Sequence, residues 1–142
     1  MTYETIKMEI SSNPEYVSII RLTTSGIANK IGFSIDDIED MKVAVSEACT
    51  NAIKHSDDDK FFITFKMFES GICIEIKDNG KGCDVEAIKE PDLDMPKESG
   101  LGLFIIKTLM DEVSIESIEN EGTVIRLSLI HISEPTRRTP IS

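Results

Sequence analysis

The stretch that most constrains this chain is IDDIEDMKVAVSEACTNAIKH, Ile35 to His55. It reads as one helix. Ser34 can cap its start, and Asp36 and Asp37 place negative charge at the positive end of the helix dipole. Ile38, Met41, Val45, Ala48 and Ala52 recur at alternating steps of three and four, an apolar stripe of helical period. Glu47, Asn51 and His55 stand four apart and share a second face, about one turn from each other. That polar face is the candidate for chemistry. Two glycine motifs downstream, Asp78-Asn-Gly-Lys-Gly82 and Ser99-Gly-Leu-Gly-Leu103, supply it with a ligand.

At 142 residues the chain has room for one domain. With 40% hydrophobic and 29% charged residues it can bury a real core. A net charge of −11 repels phosphate backbones, so no direct nucleic-acid partner is expected. The acidity suits a basic protein partner, and equally serves solubility. There is no apolar run of membrane-spanning length and no signal peptide is expected, so the reading is cytoplasmic, without a membrane partner. Cys49, Cys73 and Cys83 are odd in number and lack CxxC spacing; they read as free thiols in a reducing cytosol.

Ile6, Met8 and Ile10 alternate as a first strand. Ser12-Asn13-Pro14-Glu15 starts a helix in one of two ways: Ser12 caps it and Glu15 closes a capping box, or Asn13 caps it with Pro14 in first position. Val17, Ile20, Thr24, Ile27 and Ile31 form its inner stripe, and Gly32 is a natural left-handed stop. After the central helix, Phe61 to Phe68 and Ile72 to Lys77 make a hairpin through Glu69-Ser70-Gly71. Cys83 to Ser99 has two prolines and several acids and reads as a mobile lid. Gly100 to Glu112 is a glycine turn running into a helix, with Leu103, Ile106, Leu109 and Met110 inward. Val113 to Ile118 and Thr123 to Leu129 form a second hairpin. The expected fold is a two-layer α/β sandwich, its sheet mixed but mostly antiparallel, with helices on one face. Residues 1–129 form the domain. Residues 130–142, IHISEPTRRTPIS, lack periodicity and read as a disordered tail. With Leu129 they resemble translated sequencing-adapter DNA more than native protein, and are set aside.

Gly80 and Gly82 allow close backbone approach to a ligand, and Asp78 at a strand end can accept a hydrogen bond from the exocyclic amine of a flat heterocycle. Asp-Asn-Gly alone is equally an ordinary turn. Gly100-Leu-Gly102 before a helix suits phosphate, but also suits any helix start. In order, a helical Glu-x-x-x-Asn, an Asp-x-Gly-x-Gly after a strand and a Gly-x-Gly at a helix start resemble the N, G1 and G2 boxes of the GHKL ATPases, whose shared architecture is the Bergerat fold. No Walker-type phosphate loop is present. YVSIIRLTTSGIANKIGFSIDDIEDMKVAVSEACTNAIKH and GLGLFIIKTLMDEV are similar to the anti-sigma-factor serine kinases of Gram-positive bacteria, the RsbW type, and the match runs from Ile6 to about Leu127.

That resemblance implies roles residue by residue. Asn51 matches the asparagine that holds Mg²⁺, a metal that takes few ligands from protein. Asp78 matches the adenine-reading aspartate, with Thr123 assisting near the base. Gly80, Gly82, Gly100 and Gly102 match the nucleotide-loop glycines, and Leu101 and Leu103 contribute phosphate-facing amides. Lys54, three residues after Asn51, reaches toward a phosphate. Lys81 either touches phosphate or faces water. Glu47 matches the general base, one turn from Asn51, and phosphoryl transfer asks chiefly for positioning and charge neutralisation. Histidine-kinase domains usually carry asparagine at that place.

The implied function is an anti-sigma factor with serine-protein kinase activity. It binds and blocks an alternative sigma factor and, using ATP and Mg²⁺, phosphorylates a serine of a small anti-anti-sigma (STAS-type) antagonist. The resemblance also implies a homodimer, and the first helix around Arg21 is the expected partner surface. The rival readings are a nucleotide-binding, sigma-sequestering module without phosphotransfer, and a detached histidine-kinase ATPase domain.

Overall fold

A computed structural model describes residues 3–55, 59–78, 98–118 and 122–130. Strand β1 (Glu4–Ser11) leads through a single 3-10 turn (Pro14–Tyr16) into helix α1 (Val17–Ile31) and then α2 (Ile35–His55). Strands β2 (Lys60–Phe68) and β3 (Gly71–Asp78) follow, then helix α3 (Glu98–Leu109) and strands β4 (Glu112–Ile118) and β5 (Gly122–Ile130). The sheet has the order β1-β2-β3-β5-β4. Every neighbouring pair is antiparallel, so the mixed sheet allowed by the sequence resolves to a uniform one.

Local chemistry explains the boundaries. Of the two possible caps, Asn13 is the one used: its Oδ1 accepts from Glu15 N at 3.0 Å, with Pro14 in first position. Ser12 Oγ is buried without a hydrogen bond. Gly32 ends α1 at φ 106°, a left-handed conformation that penalises any side chain. Ser34 Oγ accepts from Asp37 N at 3.1 Å and caps α2. Strand β5 runs one residue past the expected end at Leu129, because Ile130 pairs with Gly71 and its N–H donates to Asp111 Oδ2 at 2.7 Å.

The expected stripe of α2 is the core: Ile38, Met41, Val45, Ala48 and Ala52 are all buried. They meet a sheet face on which Phe61, Ile63 and Phe65 of β2, Ile72, Ile74 and Ile76 of β3, and Ile125, Leu127 and Leu129 of β5 alternate inward. Each such side chain contributes about 1.5–3 kcal/mol on leaving water. Helix α2 packs on β2, β3 and β5, and α1 and α3 both pack against α2. The other sheet face is polar. Glu75 Oε2 takes Lys66 Nζ at 2.9 Å and Arg126 Nε at 3.1 Å, and Arg126 Nη1 reaches Glu116 at 3.1 Å. Partial desolvation pulls the Glu75 carboxyl up, but the hydrogen bonds from Lys66 and Arg126 outweigh it and hold the group below its usual range.

Candidate functional site

Helix α2 sets the first half of the site. Its apolar stripe is committed to the core, so the face carrying Glu47 and Asn51 must look elsewhere, and both side chains are half-buried. They look at α3. A Cβ placed on Gly102 would stand 2.8 Å from Glu47 Oε2, 3.6 Å from Asn51 Nδ2 and 3.8 Å from Asn51 Oδ1. A side chain at that position would make Glu47 Oε2 give way, so glycine lets the two helices meet with the carboxylate in place. The Glu-x-x-x-Asn pair and the second glycine motif, 51 residues apart between Asn51 and Gly102, are thus in direct contact.

The second half is built by the sheet. Asp78 ends β3 and is 5% exposed; Thr123 is the second residue of β5 and is 9% exposed. The register pairs them with each other, with Phe61 on the far side of Asp78 and Ser117 on the far side of Thr123. Ser117 Oγ lies 3.2 Å from Thr123 Oγ1. The result is a row of one carboxylate and two hydroxyls across three strands. Ser117 has no motif in the sequence and becomes visible only through the strand register.

Helix α3 begins at Glu98, two residues before Gly100, so Gly100, Leu101, Gly102 and Leu103 all lie inside its first two turns. The amides of Glu98, Ser99 and Gly100 are among those that have no partner within the helix, whereas from Gly102 onward they bond to the preceding turn. Ile106 and Met110 are buried and Leu109 is partly so. Lys54 is exposed in the last turn of α2. Of the lid expected from Cys83 to Ser99, the last two residues, Glu98 and Ser99, are instead the first of α3; the rest of it, with Gly80, Lys81 and Gly82, lies outside the described residues, as does the tail from His131. A cavity of about 330 Å³, lined by Tyr3, Lys30, Ile31 and Phe68 among others, sits at the opposite end of β2 from Phe61 and Asp78.

The model of the histidine kinase-like ATPase domain family matches residues 10–129. The serine-protein kinase RsbW of Bacillus thuringiensis (strain Al Hakam) is 42% identical over 137 residues, covering 89% of this chain and 84% of the relative.

The chain belongs to the RsbW family of serine-protein kinases.

A Bacillus cereus (strain B4264) RsbW matches at the same 42% identity and the same coverage. Among solved structures, the RsbU and RsbW domains of a Mycobacterium tuberculosis protein align with a TM-score of 0.68 at 18% identity, over 93% of this chain and 33% of that one. A chain of the SiaB–SiaC complex from Pseudomonas aeruginosa aligns with a TM-score of 0.68 at 11% identity, over 87% of this chain and 88% of that one. At such identities the structures establish the shared fold. As an RsbW-family kinase with an ATPase-type domain, the chain binds ATP. No described helix is long and apolar enough to cross a membrane.

Proposed function

We propose that this RsbW-family kinase is a cytoplasmic, homodimeric anti-sigma factor. It holds an alternative sigma factor and transfers the γ-phosphoryl group of Mg-ATP to a serine of an anti-anti-sigma (STAS-type) antagonist. The observation that carries the reading is the contact of Gly102 with Glu47 and Asn51, because it joins a carboxylate, an amide and the phosphate-type glycine motif in one place.

Each residue has a task that its surroundings support. Asp78, nearly buried at a strand end, accepts from the adenine amine, and Thr123 and Ser117 stand beside it in the same row. Gly80 and Gly82 allow the strand exit to pass close to the nucleotide. Gly100 and Leu101 offer backbone at the start of α3, where amide dipoles favour phosphate, and Leu103 continues that turn. Lys54 is close enough along α2 to add positive charge. Asn51 would hold Mg²⁺. Among the described residues no cluster of three His, Cys, Asp or Glu side chains could hold a metal. A single amide oxygen beside the side-chain space that Gly102 leaves open suits a cation that takes its other ligands from phosphates and water. Glu47 removes the serine hydroxyl proton as the serine oxygen bonds to phosphorus and the bond to ADP breaks. The exposed face of α1 around Arg21 receives the protein partner. Tyr16, Ile19 and Leu22 are exposed there beside Arg21.

A thermal melt with and without Mg-ATP, on wild type and Asn51→Ala, tests the site. Ligand that binds only the folded state should add about 2.7 kcal/mol at a hundredfold excess over Kd. A magnesium-dependent rise lost in Asn51→Ala supports the assignment; no rise in wild type sinks it. Glu47→Ala with undiminished phosphotransfer would favour the sequestering module, and acid-labile phosphohistidine on the partner would favour the histidine-kinase reading.

A further inference from the structure

On strands β3, β5 and β4 the core-side face is apolar up to its last row. Ile76, Ile125 and Ile115 stand opposite one another across the three strands and pack into the core. The next row on the same face is Asp78, Thr123 and Ser117, again each opposite the next. Residues paired in this way hold their Cβ atoms about 4.5–5.5 Å apart. Among the described residues Asp78 and Thr123 are, with Thr24 of α1, the only polar ones that are buried. Thr24 donates its hydroxyl to Ile20 O of its own helix at 2.8 Å. Thr123 Oγ1 instead has a side-chain hydroxyl beside it, that of half-buried Ser117 at 3.2 Å. A buried hydroxyl needs its hydrogen bonds, so the sense of this one matters.

Two hydroxyls in contact have one proton between them. If Thr123 donated to Ser117, it would turn only lone pairs toward Asp78, whose ionised carboxylate can only accept. If Ser117 donates to Thr123, the Thr123 proton is left for the Asp78 side of the row. Both O–H dipoles then point toward the carboxylate and reinforce each other. The second arrangement is the favourable one, and it makes Thr123 a donor next to an acceptor. Adenine carries its amine and the ring nitrogen N1 side by side on one edge, a donor next to an acceptor. A carboxylate beside a hydroxyl donor is the complement of that edge. Without a hydroxyl at 117, nothing there would hold the Thr123 proton in this sense.

We propose that Ser117 is a positioning residue for base recognition: it donates to Thr123 Oγ1, turns the Thr123 proton toward the base, and so lets the site read N1 of adenine beside the amine read by Asp78. This rests on the ATP site proposed above at Asp78 and Thr123, and adds the residue that sets the sense of its hydrogen bonds.

Isothermal titration calorimetry of the full chain with magnesium and one of three nucleotides tests it. The three are ATP, 1-deaza-ATP (which keeps the amine but has C–H in place of N1) and purine riboside triphosphate (which keeps N1 but lacks the amine). Wild type should bind ATP about three- to tenfold more tightly than 1-deaza-ATP, the worth of one net hydrogen bond. Ser117→Ala and Ser117→Val should lose that margin, weakening ATP by the same factor and 1-deaza-ATP by less than about twofold. Ser117→Thr has the shape of valine but keeps a hydroxyl, suits a strand, and should preserve the margin. Circular dichroism and a melt without nucleotide check that each variant folds. Ser117→Ala and Ser117→Val that keep the full margin, or that weaken both nucleotides equally as a merely structural residue would, overturn the role of Ser117. A wild type that binds 1-deaza-ATP as tightly as ATP, yet discriminates against purine riboside triphosphate, overturns the reading of N1 and leaves the Asp78 site standing. A wild type indifferent to loss of the amine removes the Asp78 site itself.

Discussion

Replacing Gly102 by alanine separates what that position does for the fold from what it does for the reaction. The added methyl would stand 2.8 Å from Glu47 Oε2, whereas ordinary contact begins near 3.4 Å, so the oxygen must withdraw by about 0.6 Å. The atom that must move is the far end of a flexible side chain, and the change is cheap for the fold. An off-rotamer glutamate costs about 0.5–1.5 kcal/mol. Alanine in place of glycine within a helix returns about 1 kcal/mol. The two nearly cancel, and Tm should stay within about 4 °C of wild type. The reaction has no such compensation. A base displaced by a good fraction of an ångström from its working position should slow phosphotransfer about a hundredfold. The assay is transfer of labelled phosphate to the antagonist, run beside a thermal melt. Gly26→Ala serves as the control, because a Cβ there meets nothing within 4 Å; it should raise Tm slightly, by up to about 1 kcal/mol of added stability. Full phosphotransfer by Gly102→Ala would refute the argument that this glycine seats Glu47. A Tm loss well beyond 4 °C would show that the backbone of α3, and not the carboxylate, gives way.

Gly71→Ala should behave in the opposite manner, since its Cβ would lie 2.5 Å from the backbone oxygen of Leu129, which cannot yield; a loss of about 1–3 kcal/mol in urea unfolding is expected. Glu75→Gln tests the open-face ion network through pH. A carboxyl held below its unfolded value contributes stability that is complete above about pH 4.3 and disappears as pH falls through the folded value, so wild type should lose stability on acidification more steeply than the variant, with under about 1 kcal/mol between them at pH 7. Asn13→Ala removes the side-chain acceptor for Glu15 N–H and should cost about 1 kcal/mol, read by chemical denaturation.

Periodicity carried most of the architecture. The stripe of α2, the alternation of β2, β3 and β5, the Ser34 cap and the Gly32 stop each follow from local rules that no tertiary contact overrides. What eluded sequence reasoning depends on pairing at a distance. That Ser117 stands opposite Thr123, beyond the Asp78 and Thr123 that the family resemblance already brought together, is a matter of register. That Gly102 rests on Glu47 is a matter of how two helices cross. The start of α3 at Glu98 was hidden because Gly100 and Gly102 are poor helix formers taken alone.

The position of Asp78 has a consequence for exchange experiments. It closes β3, the middle strand of the five, whose amides and carbonyls are engaged by a neighbour on each side. Amides in such a strand exchange with solvent mainly when the whole domain opens, whereas those of the peripheral β1 can exchange through local fraying. A nucleotide held at Asp78 as proposed should therefore slow deuterium uptake across the domain's slowest amides together, and not leave a footprint confined to its own contacts.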